Sequence, residues 1–252
     1  MASSPPILLA LDASTRTTTV AIGDAAGACL ARADDERGGR PLLVLVDRAL
    51  TDAGRVIADL RAVIVGTGPG SFTGLRVGLA AAKTLAYARG IDIIGVATVE
   101  ALASAAAAAS AASDGDLARA SNEGDRTFAV IVGAGARDHY LARIVVSAGT
   151  PRSLAAVALL PPGTDLRDAA GGDELLTIGV ADGVIHGAAG GAAADLGRRA
   201  VAGLGPTLLA IGAARLAEGR TDDVATLVPE YVAVPRGVTA SAKEMVWSPD
   251  PR

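Results

Sequence analysis

Two short stretches carry the residue types from which a phosphate or metal site could be built. Leu11-Asp-Ala-Ser-Thr-Arg-Thr-Thr-Thr19 sets a carboxylate at the end of an apolar run and follows it with hydroxyls in a turn. There the carboxylate can handle metal-bound water, while hydroxyls and backbone N–H groups form a concave donor site for phosphate. The same residues also suit a plain hairpin whose Asp12 and Ser14 bond the turn backbone, and spacing leaves both readings open. Gly66-Thr-Gly-Pro-Gly-Ser-Phe-Thr-Gly74 falls between a predicted strand and a predicted helix, where free N–H groups and the helix dipole favour an anion. Its glycines stand at 66, 68, 70 and 74, so neither the dinucleotide spacing nor the P-loop spacing is met. The alternative is a tight turn with Ser71 or Thr73 as the helix cap. The candidate phosphate set is therefore Asp12, Ser14, Thr15, Gly68, Gly70 and Ser71.

The helix after that loop carries Gly74, Gly78, Ala82 and Ala86 at a spacing of four, a ridge almost without side chains that another helix can approach closely. With Phe72, Leu75 and Leu79 it forms a candidate partner interface, although packing within the chain explains the ridge equally well. No catalytic residue and no metal ligand set is indicated. His139 and His186 are far apart, and Cys29 is the single cysteine, so no disulfide framework or Cys-based zinc site can form within the chain. Asp34, Asp35 and Glu36 read as a solvated loop.

These positions need elements to hold them. Ile7–Leu11 reads as a buried strand, Thr17–Ile22 and Gly27–Ala33 as a hairpin pair, and 41–53 as a helix stopped by Gly54. Ala62–Val65 is the next strand, Phe72–Arg89 a helix closed by Gly90, and Ile91–Val96 a strand before an Ala-rich helix capped by Thr98. The order β-β-β-α-β-α-β-α is that of a sheet with helices on its faces. Residues 113–126 are polar and Gly/Asp-rich and predict a linker between a first lobe, 1–112, and a second lobe, 127–252, with an extended tail. In the second lobe strands are expected at 127–132, 140–146, 154–160 and 177–180, and helices at 192–204 and 207–219, separated at Pro206.

Composition narrows the function classes. The chain has 252 residues, 50% hydrophobic and only 2% aromatic, with a net charge of −4. That excludes disorder as a default and makes a base-stacking platform for single-stranded nucleic acid improbable. No uninterrupted apolar run approaches a membrane span, so a soluble, cytoplasmic protein without membrane contact is expected.

Leu9-Ala-Leu-Asp-Ala-Ser-Thr15 and Gly68-Pro-Gly-Ser-Phe-Thr-Gly-Leu-Arg-Val-Gly78 together closely resemble the TsaB (YeaZ) family. Gly95-Val-Ala-Thr-Val-Glu-Ala-Leu102 and Pro229-Glu-Tyr231 extend the resemblance, which is strong over about 7–105 and thin afterwards. The second lobe departs from the family pattern: Gly133-Ala-Gly-Ala-Arg-Asp-His-Tyr140 retains only an acid and the Tyr, and Tyr231-Val-Ala stands where the family has Tyr-Leu-Arg. The resemblance implies an α/β, actin-like ATPase (ASKHA, ribonuclease H-like) two-lobe fold with mixed sheets flanked by helices. It further implies a non-catalytic scaffold or activator subunit in forming N6-threonylcarbamoyladenosine at position 37 of tRNA. Its partners would be a TsaD-type transferase, a TsaE-type P-loop ATPase and tRNA only through the complex, with a homodimer as a further option. No cofactor is required by this reading, with weak ATP or ADP and Mg²⁺ at the lobe or complex interface as the open possibility. The rival is a small actin-like kinase resembling type III pantothenate kinase.

Overall fold

A computed structural model of the chain describes residues 5–36, 41–113, 124–133, 139–180 and 188–232. His186, most of the expected linker, Trp247 and the tail beyond 232 lie outside them. The first sheet forms from β1 (Ile7–Asp12), β2 (Thr18–Asp24), β3 (Cys29–Asp35), β4 (Leu60–Gly66) and β5 (Asp92–Val96) in the order β3-β2-β1-β4-β5. β1, β2 and β3 meander antiparallel, while β4 and β5 run parallel to β1. Parallel pairs need crossovers; α1 (Leu42–Asp52) lies in the connection to β4 and α2 (Phe72–Arg89) in that to β5, while α3 (Thr98–Ser113) follows β5 and leads to the second sheet.

β1 is apolar at five successive positions because it is covered on both faces. Ile7, Leu9 and Leu11 pack with α1 and α2, whereas Leu8 and Ala10 face α3 and the second half of the chain. The second sheet contains β6 (Arg126–Gly133), β7 (His139–Ser147), β8 (Thr150–Ser153) and β10 (Glu174–Ile178) in the order β10-β6-β7-β8, with β9 (Ala158–Leu160) also on β7. A short α4 (Leu166–Ala170) covers its outer face, and α5 (Ala188–Ala217) lies with α3 between the two sheets. Mixed sheets flanked by helices agree with the actin-like class expected from the sequence.

Four expectations change. The strand expected over 154–160 is instead β8 and β9, because Ala148 and Gly149 both take positive φ and turn the chain back at once, pairing Ser147 with Thr150. The two helices expected around Pro206 are one. Proline cannot donate to the carbonyl four residues back, and the Arg32 guanidinium takes that carbonyl, Ala202 O, at 2.6 Å. Helix α5 is thereby long and apolar enough over Gly191–Ala217 to cross a membrane by length and composition, contrary to the reading of the apolar runs. Here its Leu196, Leu204, Leu208 and Leu209 are buried in the core between the sheets. Lastly, the chain after 126 is not confined to a second lobe. The inner face of the first sheet needs cover, which α5 provides, and residues 220–231 return to β5 and α2: Asp222 bridges Ile93 and accepts from Gly95 N at 2.7 Å.

Candidate functional site

Asp12 ends β1 on the face turned toward α3, and it is fully buried. Its Oδ1 accepts from Ser14 N at 2.7 Å and from Ser14 Oγ at 2.8 Å. Its Oδ2 accepts from Thr98 Oγ1 at 2.7 Å, and Thr98 Oγ1 in turn accepts from Gly68 N at 3.0 Å. Thr98 was expected to cap α3; its hydroxyl instead ties the end of β1 to the glycine loop. Burial pushes the Asp12 carboxyl above its ordinary value, against the downward pull of the Thr98 and Ser14 hydrogen bonds.

The glycine loop closes around this turn. Ser71 N donates to Ser14 O at 2.7 Å, and Ser71 Oγ caps α2 by accepting from Gly74 N at 3.2 Å. A Cβ on Gly66 would lie 1.7 Å from Asp12 Oδ2, and one on Gly74 would lie 1.8 Å from Ala13 O. These glycines are there so that the loop can touch the β1 turn. The run is a clasp between β1, α2 and α3.

Asp12, Ser14, Gly68, Gly70 and Ser71 do meet as the sequence suggested, and here Asp12 is bonded to Ser14 and Thr98. Both Asp12 oxygens and the Ser14 hydroxyl are engaged within the chain, and Asp12 and Ser14 are sealed from solvent. Of the expected set Ser71 is exposed, and Thr15 lines a cavity of about 390 Å³ between the sheets with Arg16, Arg32, Asp34, Thr177 and Arg198. Arg32 is paired there with Asp34, and Arg198 with Asp195. Asp34 and Glu36, expected in a plain solvated loop, line the same cavity. Among the described residues no group of three or more His, Cys, Asp or Glu side chains could hold a metal ion.

The expected interface ridge also turns inward. Gly78, Leu79, Ala82 and Ala86, with Leu75, are buried against the first sheet and its loops, and the Gly78 position lies beside Leu11 and Ala13. The ridge without side chains is spent on packing α2 within the chain. Of the residues assigned to that interface, Phe72 stays part-exposed. The solvent face of α2 includes Thr73, Arg76, Val77, Ala80, Thr84, Tyr87, Ala88 and Arg89, and that of neighbouring α1 includes Leu43 and Val44. Val77 is 50% exposed, Leu43 59%, Val44 52% and Tyr87 83%, which makes this face apolar as well as open.

Residue spacing gave no sign of a further cluster. Arg76 lies over the Phe72 ring, 3.8 Å from its centroid, and its Nε donates to Tyr231 Oη at 3.2 Å. Tyr231 arrives from the returning tail, where Glu230 N donates to Thr67 O at 2.8 Å. Burial, and next the nearby Glu100 carboxylate, raise the Glu230 carboxyl above its ordinary value. The only sequence signal was that Arg76 and Tyr231 both lie in motifs that carry the family resemblance.

Two mixed sheets with helices between and outside them define the class as α/β. The family model for TsaD, tRNA N6-adenosine threonylcarbamoyltransferase, matches residues 39–149. A Mycobacterium tuberculosis protein described as uncharacterized is 52% identical over 54 residues, 21% of this chain and 26% of that one. The tRNA threonylcarbamoyladenosine biosynthesis protein TsaB of Escherichia coli is 40% identical over 65 residues, 26% of this chain and 28% of that one. The Haemophilus influenzae TsaB is 33% identical over 102 residues, 39% of this chain and 42% of that one. The match thus spans between about a quarter and two-fifths of these relatives. The solved structure of YeaZ from Pseudomonas aeruginosa superposes with a TM-score of 0.63 at 22% identity, covering 90% of this chain and all of that one. Over these segments, and in its fold, the chain is similar to proteins of the TsaB (YeaZ) family.

Proposed function

We propose that this protein is a non-catalytic docking subunit in the formation of N6-threonylcarbamoyladenosine at position 37 of tRNA, pairing with a TsaD-type transferase. The observation that carries the reading is the clasp. The loop motif that carries the family resemblance folds onto Asp12, whose two oxygens accept from Ser14 and Thr98. The chain's two histidines, His139 and His186, fall in separate segments. Chemistry is therefore left to the partner, and this chain contributes a surface. That surface is the outward face of α1 and α2, where Leu43, Val44, Val77 and Tyr87 stand exposed. Aromatic and aliphatic anchors of this kind supply most of the energy of protein interfaces.

Size-exclusion chromatography with light scattering, on the chain alone and mixed with the TsaD-type transferase of the same organism, tests this reading. A 1:1 complex is expected, and Val77→Asp with Tyr87→Asp abolishes it while leaving the melting temperature unchanged. Absence of a complex, together with substrate-dependent ATP turnover by the isolated chain, would favour the kinase reading instead. Self-association through the same face would appear as a dimer that the transferase displaces.

A further inference from the structure

The chain is poor in aromatic residues, with two Phe, three Tyr and one Trp in all, yet two of them converge on one arginine at the surface. The Phe72 and Tyr231 rings lie 5.5 Å apart, inclined at 44°, with the Arg76 guanidinium carbon 3.8 Å from the first centroid and 6.0 Å from the second. Nε is spent on Tyr231 Oη. Among the described residues no carboxylate pairs with Arg76, whereas Arg32, Arg126, Arg143, Arg198 and Arg215 each have one. Arg76 is exposed, with Val77 and Ala80 exposed beside it, and Tyr231 is 47% exposed.

We propose that the Phe72–Arg76–Tyr231 stack is the charged anchor of the docking surface, presenting the Arg76 fork to a carboxylate of the protein partner. This rests on the docking reading of the preceding subsection. A guanidinium already held by a ring face and a phenol loses little freedom on binding, so a bidentate carboxylate contact there is not offset by ordering entropy. Arg, Tyr and Phe are also the residue types enriched in interface centres. The surroundings favour a protein carboxylate over an RNA phosphate. A phosphate track needs several free cations in line, but Arg76 is flanked by Val77 and Ala80, and the nearby Lys83 Nζ is engaged by Ala225 O at 3.2 Å. The chain as a whole carries −4, so phosphate is repelled at a distance. The returning segment after α5 brings Tyr231 to the arginine, where its hydroxyl accepts from Arg76 Nε.

The test measures affinity for the transferase of the same organism at low and high salt, with the full chain and with Arg76→Ala, Arg76→Lys, Tyr231→Phe and the distant exposed Arg61→Ala. Loss of roughly 30-fold is expected for Arg76→Ala, the scale of an interface hot spot. Arg76→Lys should lose nearly as much, because it keeps the charge but not the planar fork. Tyr231→Phe should cost only a few-fold, Arg61→Ala nothing, and the salt dependence of the wild type should flatten in Arg76→Ala. Circular dichroism melts check that each variant is folded. Wild-type affinity in Arg76→Ala, with Val77→Asp still disrupting the complex, overturns the anchor and leaves the docking reading standing. Unchanged subunit affinity with weakened tRNA retention by the complex reassigns Arg76 to phosphate and also overturns it. If no form of the chain binds, the docking reading has failed and the anchor falls with it.

Discussion

Asp12 is a carboxylate placed where water cannot reach it. It persists because Ser14 N, Ser14 Oγ and Thr98 Oγ1 all donate to it. Removing it strands a buried N–H and two hydroxyls, each costing on the order of 1–3 kcal/mol when unpaired. Asp12→Ala should therefore destabilise the fold by about 3 kcal/mol or more in urea titrations. Asp12→Asn should cost less, since an amide can accept from Ser14 and donate to Thr98. The pH dependence separates the two effects. Burial raises the folded-state value of this acid above its ordinary 3.8. Its contribution is therefore complete below the ordinary value and is lost as pH rises through the folded one. Stability of the wild type minus that of Asp12→Asn should thus decline as pH is raised across that window. A difference that grows with pH would show that the hydrogen bonds outweigh burial.

At the scale of elements, two glycines four residues apart on α2 have opposite reasons to exist. A methyl at Gly78 meets only ordinary contacts, 3.6 Å to Leu11 and 3.7 Å to Ala13, whereas at Gly74 it meets Ala13 O at 1.8 Å. Gly78→Ala should stabilise the protein by up to about 1 kcal/mol through helix propensity, and Gly74→Ala should destabilise it by opening the clasp. Thermal melts of the two variants decide this, and Gly78→Leu should unfold the chain, not merely weaken association. The same helix shows what the sequence could reveal. A strand to glycine turn to helix order, the Ser71 cap and the Gly90 stop were all legible, because local backbone chemistry dictates them. The side to which the Gly74–Ala86 ridge faces was not, since small residues suit both a partner and a sheet. Nor was the route of the Arg76–Tyr231 contact, which spans 155 residues. Pro206 misled for a physical reason: the hydrogen bond it deletes is replaced from Arg32 on β3, which no local pattern around the proline records.

For the molecule as a whole, the first sheet and its helices look self-contained in sequence order, and composition shifts after residue 112 as a lobe boundary would. The packing says otherwise. Leu8, Ala10, Ala21 and Ile64 share one core with Leu204, Leu208 and Leu209 of α5 and with Phe128 and Val130 of the second sheet. Gly212 is spent on letting α5 settle against Ile64, where a Cβ would lie 2.4 Å away. Three fully buried leucines are worth about 2 kcal/mol each, so α5 alone contributes about 6 kcal/mol to covering the first sheet, as much as the whole net stability of many domains. A fragment ending at residue 112 should therefore lack a dispersed amide spectrum and should self-associate through the bared sheet. The intact chain should unfold in one calorimetric transition, with the calorimetric enthalpy matching the van 't Hoff value. Two resolved transitions, or a well-dispersed spectrum from the fragment, would mean that the clasp and the outer helices suffice to hold the first lobe. The docking face on α1 and α2 would then survive without the rest of the chain.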